Sequence, residues 1–359
     1  MARTTIPMSL DEITPEWLTA ALSERHPGVE VGAAWLGEPI HGTGTNLLVT
    51  IDYARPPDDG PKLPTTMWLK SCFEPHFAMM ADNGLYEFES RFYEQLAPRV
   101  SATVPGCFYA GADPATRQGV LLLEDIGAAG GEFGNATRPI GADQVAVALE
   151  ALARFHASTW GASWPREYEF VTDGIPLEGS KAAWFLSQTP DVFRRYIAQR
   201  AEANTPDAVN DPDRIVRAFW QLAATSRDAP VCLIHSDAHL DNWYFLPDGT
   251  PGLLDWCSPR TSSWAWDVSY FVISALTIDE RRRCERDLLV HYLDRLRSHA
   301  VEAPAFDAAW LAYRQWNGYG LFVKIINPDY FKPREINVAW MSRHVAAADD
   351  LDTFASLGV

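Results

Sequence analysis

Two different hydrophobic patterns divide the chain. In the first third, short runs alternate apolar and polar residues, and such alternation predicts half-buried β-strands. These predicted strands cover residues 47–53, a run ending near Lys70, residues 104–110 and residues 120–126. Residues 85–96 carry apolar side chains at helical spacing, which predicts one helix among the strands. From Asp143 onward helical periodicity dominates. The pattern predicts an α+β protein with a sheet-rich first part and a helical second part.

Local signals mark where the first helix begins. Thr14 precedes Pro15 and Glu16. Threonine is favoured as an N-cap, proline at the first helical position, and an acidic residue in the first turn. The sequence therefore predicts a helix over residues 10–25, with Thr14 as its N-cap.

A β-hairpin is predicted late in the chain. The dipeptide Asp248-Gly249 separates two runs of β-forming residues, and Asp-Gly is favoured in two-residue hairpin loops. With that loop, Asn242 and Asp255 would pair across the strands, about 5 Å apart. Carboxamide and carboxylate oxygens at that separation can share one hard divalent cation.

The spacing around this hairpin points to phosphate chemistry. Asp237 follows His235 by two residues and precedes Asn242 by five, and the hairpin ends at Asp255. Kinase-type phosphotransferases arrange a base and two magnesium ligands in this order. Asp237 would orient the acceptor hydroxyl and take its proton, while Asn242 and Asp255 would hold Mg²⁺. The structural alternatives are an Asx-turn for Asp237 and caps of the hairpin strands for the other two.

Two segments together carry a resemblance to a known family. HSDAHLDN at residues 235–242, followed by LLDW at residues 253–256, resembles the aminoglycoside phosphotransferase, choline kinase and ecdysteroid kinase-like group of small-molecule kinases. The chain departs from the pattern at Ser236, where the family usually carries glycine. The resemblance implies a bilobal, protein-kinase-like α+β fold. The change in sequence character after residue 126 places the boundary between the lobes. We expect a small nucleotide-covering lobe with an N-terminal helical extension, residues 1–126, and a larger helical lobe with the catalytic loop and acceptor site, residues 127–359.

The resemblance also implies a phosphate-covering turn in the smaller lobe. Gly42, Thr43, Gly44 and Thr45 lie ahead of a predicted strand. Glycines let backbone N–H groups approach a triphosphate closely. The alternative is an ordinary hairpin turn, because this segment lacks the full glycine motif of nucleotide-binding loops.

Four further residues complete the implied nucleotide site. Lys70 would hold the α- and β-phosphates, the alternative being a solvated lysine at a strand end. Glu89 is its expected ion-pair partner, with Glu87 and Glu94 as competitors, since ESRFY at residues 89–93 is similar to a family helix. Glu124 and Ile126 would lie at the hinge where adenine bonds the backbone. The expected cofactors are ATP and Mg²⁺, and the sequence leaves ATP and GTP undistinguished.

Two residues are predicted to support the catalytic loop. His235 would brace the loop backbone through a hydrogen bond, and Asp267 resembles a family aspartate that supports this loop from the start of a helix. A simple helix N-cap is the alternative for Asp267. His156 lies on an apolar helical stripe and is predicted to be a satisfied core histidine.

Two other function classes stay open at this point. His235, Asp237 and His239 could instead form a metallohydrolase centre, because imidazoles at this spacing suit zinc or iron. A catalytically silent, ligand-binding member of the same fold is the second alternative. The leading prediction is an ATP-dependent enzyme that transfers the γ-phosphate to a hydroxyl of a small molecule.

Composition narrows the partners. The 359 residues carry a formal net charge of −17, from 47 acidic and 30 basic side chains, which disfavours nucleic acid and tolerates a cationic small molecule. The sequence contains fourteen tryptophans, and such side chains can line a binding site with aromatic rings. An acceptor that is cationic or polycyclic would fit a site of this kind. The five cysteines are scattered, and no apolar run approaches about 18 residues. We therefore expect a cytoplasmic protein without a membrane partner.

Overall fold

The chain forms two compact units. A computed structural model describes residues 4–82, 84–176, 180–225 and 231–359. The smaller unit comprises residues 1–99, 104–132 and 254–257, and the larger unit comprises residues 100–103, 133–253 and 258–359. The four residues after the late hairpin thus belong to the smaller unit, whereas the hairpin itself belongs to the larger unit.

The smaller unit is built around one antiparallel sheet. The elements are α1 (Pro15–Ser23), β1 (Glu30–Leu36), β2 (Ile40–His41), β3 (Thr45–Arg55), β4 (Thr66–Ser71), α2 (Phe77–Ala81), α3 (Leu85–Arg91), β5 (Cys107–Asp113) and β6 (Gln118–Glu124). The strand order is β1-β3-β4-β6-β5, and β2 pairs with the first two residues of β3. The turn of π-helix at Phe92–Leu96 continues α3.

Alternation and capping explain these elements. Along β3, Leu47, Val49 and Ile51 are almost fully buried while the residues between them are partly exposed, as the alternating pattern predicts. The Thr14 hydroxyl accepts the backbone N–H of Trp17 at 3.2 Å, so α1 begins at Pro15 as predicted. It ends at Ser23, and a separate 3₁₀ turn, Leu10–Glu12, precedes it.

The larger unit is mostly helical. All eleven residues of the helix Ala265–Ala275 (α8) are buried, which makes it the central helix. Within the described residues, no helix is long and apolar enough to cross a membrane. The elements are β7 (Glu132–Phe133), α4 (Ala142–Ala157), β8 (Thr172–Asp173), α5 (Ser180–Leu186), α6 (Pro190–Gln199), α7 (Pro212–Thr225), β9 (Val231–Ile234), β10 (Trp243–Phe245), β11 (Pro251–Leu253), β12 (Arg260–Ser263), α8 (Ala265–Ala275), α9 (Ile278–Ser298), α10 (Phe306–Ile326), α11 (Arg334–Asp350) and α12 (Thr353–Ser356).

The late hairpin forms, but its predicted register is wrong by one residue. Trp243 pairs with Leu253, and the pairing runs through to a Leu246–Thr250 backbone hydrogen bond. The loop therefore has three residues, with Gly249 at φ +84°, because a left-handed glycine closes a three-residue loop without strain. In this register Asn242 and Asp255 are not strand partners. Both lie outside the paired residues.

Candidate active site

Lys70 on β4 contacts two carboxylates within the smaller unit. Its Nζ lies 2.8 Å from a Glu89 carboxylate oxygen and 2.8 Å from Asp255 Oδ1. The Glu89 side chain is only 5% exposed, whereas that of Asp255 is 38% exposed. Burial alone would lower the pKa of Lys70, but the Asp255 and Glu89 carboxylates outweigh it and raise that pKa above its ordinary value. The lysine is therefore a fixed positive charge.

The backbone at Asp255 is held in an unusual conformation. Its φ is +62°, a left-handed conformation that non-glycine residues rarely adopt. The neighbouring Trp256 fixes it, because its ring stacks on Phe92 at 4.1 Å and its backbone N–H donates to Glu89 at 3.2 Å. Local strain of this kind persists where surrounding contacts over-determine it, often at functional sites.

The glycine-containing turn between β2 and β3 is anchored from inside the unit. The carbonyl of Thr43 accepts the Tyr86 hydroxyl at 2.7 Å and lies 3.1 Å from His76 Nε2. A Cβ on Gly44 would lie 2.8 Å from the Ser71 carbonyl oxygen, so no larger residue fits there without a backbone shift. The contacts hold the turn close to the sheet.

The remaining predicted nucleotide residues of this unit are already engaged. Thr45 is buried, and its hydroxyl donates to Glu74 at 2.7 Å. Glu124 ends β6, and its carboxylate accepts the Gly106 backbone N–H at 3.0 Å. Ile126 is buried. Thr45, Glu124 and Ile126 therefore offer backbone groups rather than free side chains.

In the larger unit a buried carboxylate organises the loop between β9 and β10. Asp267, in the first turn of α8, accepts the backbone N–H groups of His235 at 2.7 Å and Ser236 at 2.8 Å. His156 Nε2 lies 3.2 Å from the same carboxylate, and its Nδ1 lies 2.8 Å from the Tyr292 hydroxyl. All five residues are buried. The prediction that His156 is a satisfied core histidine is confirmed.

The loop then turns so that Asp237 is partly exposed. Ser236 has φ +70°, and its hydroxyl donates to the Ser258 carbonyl at 2.6 Å. The Asp237 backbone N–H lies 3.2 Å from His235 Nδ1. The Asp237 side chain is 37% exposed, although its neighbours in the loop are buried. Positive φ angles thus occur at Ser236, directly before Asp237, and at Asp255 itself in the smaller unit.

Several side chains stabilise the ionised form of Asp237. Asn242 Nδ2 donates to its carbonyl at 2.8 Å and its carboxylate at 3.2 Å, which leaves the Asn242 amide oxygen available. His239 Nε2 lies 3.5 Å from the carboxylate. Burial would raise the pKa of Asp237, but His239 and the more distant Lys324 outweigh it and hold that pKa well below its usual range.

The neighbourhood of Asp237 includes residues that the sequence analysis missed. Lys324 of α10 is 4% exposed, and its ammonium lies over the rings of Trp340 and Tyr270. The Trp340 indole N–H donates to Asp241 at 3.1 Å. One sequence signal was available: a single lysine interrupts the apolar run GLFVKII at residues 320–326, and a buried lysine without an obvious partner indicates a functional position.

The metallohydrolase alternative finds no support in this geometry. Among the described residues, no group of three or more His, Cys, Asp or Glu side chains is arranged to hold a metal ion. His235 Nδ1 faces the Asp237 backbone N–H and His239 lies among aromatic rings, so the two imidazoles serve different contacts.

Comparison with protein families identifies the family of this chain. The model of the ecdysteroid kinase-like family matches residues 45–303, most of the chain. The chain belongs to the ecdysteroid kinase-like family. The match includes both segments on which the resemblance was based, and also the strand that carries Lys70. A search of curated proteins finds no match to this ecdysteroid kinase-like chain.

Solved structures of kinase-like phosphotransferases share the fold of this ecdysteroid kinase-like chain. An aminoglycoside 2″-phosphotransferase in complex with GDP and kanamycin matches with a TM-score of 0.51 at 12% identity, covering 93% of this chain and 98% of that one. A spectinomycin phosphotransferase in complex with ADP and spectinomycin matches with a TM-score of 0.50 at 11% identity, covering 95% and 99%. The predicted kinase-like α+β fold is confirmed.

Proposed function

We propose that this protein is an ATP- and Mg²⁺-dependent phosphotransferase that moves the γ-phosphate to a hydroxyl of a small molecule. The observation that carries the proposal is the contact of Lys70 with both Glu89 and Asp255, each at 2.8 Å. A charged lysine held by a buried glutamate and a strained, partly exposed aspartate matches the phosphate-binding groups of kinases. A structural ion pair needs neither the third partner nor the backbone strain.

The smaller unit would bind the nucleotide. Lys70 would contact the α- and β-phosphates while Glu89 keeps it in position. Backbone N–H groups of the turn containing Gly42, Thr43 and Gly44 would cover the phosphates, and Thr45 anchors the turn to its strand. The backbone from Glu124 to Ile126 would bond the base, which makes both adenine and guanine nucleotides worth testing.

The proposed magnesium ligands are Asn242 and Asp255. Their oxygens suit a hard cation: the Asn242 amide oxygen is left over by its two hydrogen bonds to Asp237, and the Asp255 carboxylate is partly exposed. Bound magnesium would supply neutralisation of phosphate charge. The acidic and amide groups present fit that ion better than a soft metal.

Asp237 would orient the acceptor hydroxyl in the larger unit. Its low pKa leaves it ionised, so it can accept the hydroxyl proton as the phosphate is transferred. Phosphoryl transfer has a loose transition state that depends mainly on alignment and electrostatics, so a weak base is sufficient. Asp267 and His235 would be positioning residues, since they hold the loop and do not themselves reach an acceptor.

Separate measurements of nucleotide binding and turnover test the proposal. We expect Asp237→Asn to keep the affinity for MgATP within about threefold while lowering turnover by at least about a thousandfold. Asp113→Asn, at an exposed turn of the smaller unit, serves as the matched control and should retain both properties. Turnover would be measured by mass spectrometry on a panel of hydroxylated compounds with ATP and with GTP. Full turnover in the Asp237 variant would contradict the assignment.

A further inference from the structure

Helix α10 buries one cation in an otherwise apolar segment. Lys324 is 4% exposed, and the residues beside it, including Phe322 and Ile325, are fully buried. Moving an ammonium group out of water is strongly unfavourable unless it is paired or hydrogen-bonded. A leucine or methionine would fill such a position without this cost, so the lysine requires an explanation.

Lys324 lacks the partners that usually compensate a buried charge. Across residues 4–82, 84–176, 180–225 and 231–359, its Nζ forms no hydrogen bond and no ion pair within 4.0 Å. Its contacts are with two ring faces, Trp340 at 3.5 Å and Tyr270 at 5.0 Å from the ring centres. Cation–π contact offsets part of the burial cost, but among the described residues no protein acceptor takes the three N–H donors.

The ammonium group of Lys324 lies near Asp237. Asp237 and Asp241 both attract the Lys324 charge from beyond ion-pair distance. The two rings that contact the lysine also contact the ring of His239. The centre of the His239 ring lies 5.8 Å from that of Tyr270 and 4.7 Å from that of Trp340. The lysine therefore lies near the partly exposed carboxylate of Asp237, within the larger unit.

This arrangement has two consequences for a molecule that binds beside Asp237. Three ammonium donors that no described residue accepts favour an oxygen atom on that molecule, because charge-assisted hydrogen bonds would satisfy a largely buried cation. The ring faces that a cationic ligand would use are already covered by the protein's own lysine. A second positive charge next to it would be repelled in a medium of low dielectric.

We propose that Lys324 is an acceptor-binding residue that donates to an oxygen next to the reacting hydroxyl and excludes acceptors with an ammonium group there. The acceptor class is thus a compound whose hydroxyl has a neighbouring hydroxyl, carbonyl or carboxylate oxygen. The proposal rests on the proposed function, because that function makes Asp237 the acceptor side. It runs against the expectation of a cationic acceptor that the net charge of −17 suggested.

The first test asks whether Lys324 is kept for stability or for binding. We expect Lys324→Met to raise the melting temperature by a few degrees, since it removes a buried charge without a partner. Arg343→Met is the contrasting variant: Arg343 is 8% exposed, and its guanidinium donates to the Ser274 and Ala136 carbonyls. Its loss should lower the melting temperature. A lower melting temperature for Lys324→Met would show a structural lysine and overturn the proposal.

The second test measures charge selectivity with a matched set of probes. Glucosamine, glucose and glucuronate share a sugar ring but differ in charge, and their binding can be compared by ligand-observed NMR at high millimolar concentration. Wild type should bind glucose or glucuronate in preference to glucosamine, and Lys324→Met should shift this preference toward glucosamine by at least about tenfold. Equal preference in the two proteins would overturn the proposal, as would binding of glucosamine alone or of no probe to wild type.

The proposed function is checked separately on the same samples. Stabilisation by MgATP reports on the nucleotide residues of the smaller unit, and it should be the same in wild type and Lys324→Met. If wild type shows no nucleotide-dependent stabilisation while the melting temperatures and probe preferences follow the expected order, the phosphotransferase proposal fails and Lys324 is still a ligand-binding residue. If a nucleotide stabilises wild type but the melting temperatures and probe preferences do not follow the expected order, only the proposed role of Lys324 fails.

Discussion

The carboxylate of Asp267 accepts the backbone N–H of Ser236 at 2.8 Å, and it does so while Ser236 has a φ of +70°. The loop that leads to Asp237 is therefore held in a strained conformation by a buried negative charge on a different element. Geometry near a reacting group depends on such supports as much as on the reacting group itself.

Replacing Asp267 by Asn should destabilise the larger unit. The Asp267 carboxylate accepts two buried backbone N–H groups, one on each oxygen. The single oxygen of an asparagine side chain can accept only one of them, and the asparagine NH₂ group would then face the other N–H donor. We expect the free energy of unfolding to fall by about 2–4 kcal/mol, as measured by urea denaturation. The control variant Asp113→Asn should change the free energy of unfolding by less than about 0.5 kcal/mol. Equal values for the two variants would contradict the supporting role of Asp267.

Ser236 allows the strain and the hydrogen bond to be separated. Both Ser236→Ala and Ser236→Gly lose the hydroxyl that donates to Ser258 at 2.6 Å, but only glycine is relaxed at positive φ. Ser236→Gly should therefore be more stable than Ser236→Ala by about 1 kcal/mol. Thermal unfolding of the two variants measures this difference. An alanine variant as stable as the glycine variant would mean that the backbone at this position is not strained.

Lys70 and Glu89 should show strong energetic coupling. Removing the lysine alone in Lys70→Met leaves Glu89, 5% exposed, without its cation, which should cost about 3 kcal/mol. The double variant Lys70→Met/Glu89→Gln removes that unpaired charge and should recover part of the loss. A double-mutant cycle by chemical denaturation gives the coupling energy. Additive effects of the two substitutions would argue against a buried ion pair.

The buried lysine predicts a specific dependence of stability on pH. Burial lowers the pKa of Lys324 to about 8 from its ordinary 10.5, against the attraction of Asp237 and Asp241 and with repulsion from Lys332. Between these two values the unfolded chain binds a proton that the folded chain does not, so the contribution of Lys324 to the free energy of unfolding rises with pH. Below about pH 8 its cost reaches about 3 kcal/mol.

Comparison with Lys324→Met isolates this effect from other titrating groups. The variant should be more stable than wild type at neutral pH, and the difference should shrink as pH rises from about 8 to about 10.5. Denaturation curves of both proteins across this range measure it. A difference in stability that does not change with pH would mean that Lys324 has an ordinary pKa and is hydrated.

Local sequence signals predicted much of the fold because the forces involved are local. Thr14 and Pro15 marked the start of α1 because a cap and a fixed φ act within one turn. The alternation around Leu47 predicted β3 because one face of that strand is buried. The register of the late hairpin was wrong, since the choice between two and three loop residues depends on the left-handed conformation of Gly249, which composition does not reveal.

Spacing along the chain suggested the predicted site residues, whereas Lys324 has no spacing signal. Asp237 and Asn242 share one short loop, so their separation along the chain carried information. Lys324 lies more than eighty residues further on, and only the packing of α10 and α11 brings it to the Trp340 ring. Contacts of this kind are set by tertiary structure, which a single sequence does not display.

Mg²⁺-dependent stabilisation by nucleotide tests the central claim most directly. Thermal unfolding would be followed with ATP and with GTP, each with Mg²⁺ and with EDTA, for wild type and Asp237→Asn. A ligand that binds only the folded state raises its stability. We predict that both proteins are stabilised by a nucleotide with Mg²⁺ and that EDTA removes most of the shift. No shift with either nucleotide at millimolar concentration would contradict the account of this chain as a phosphotransferase.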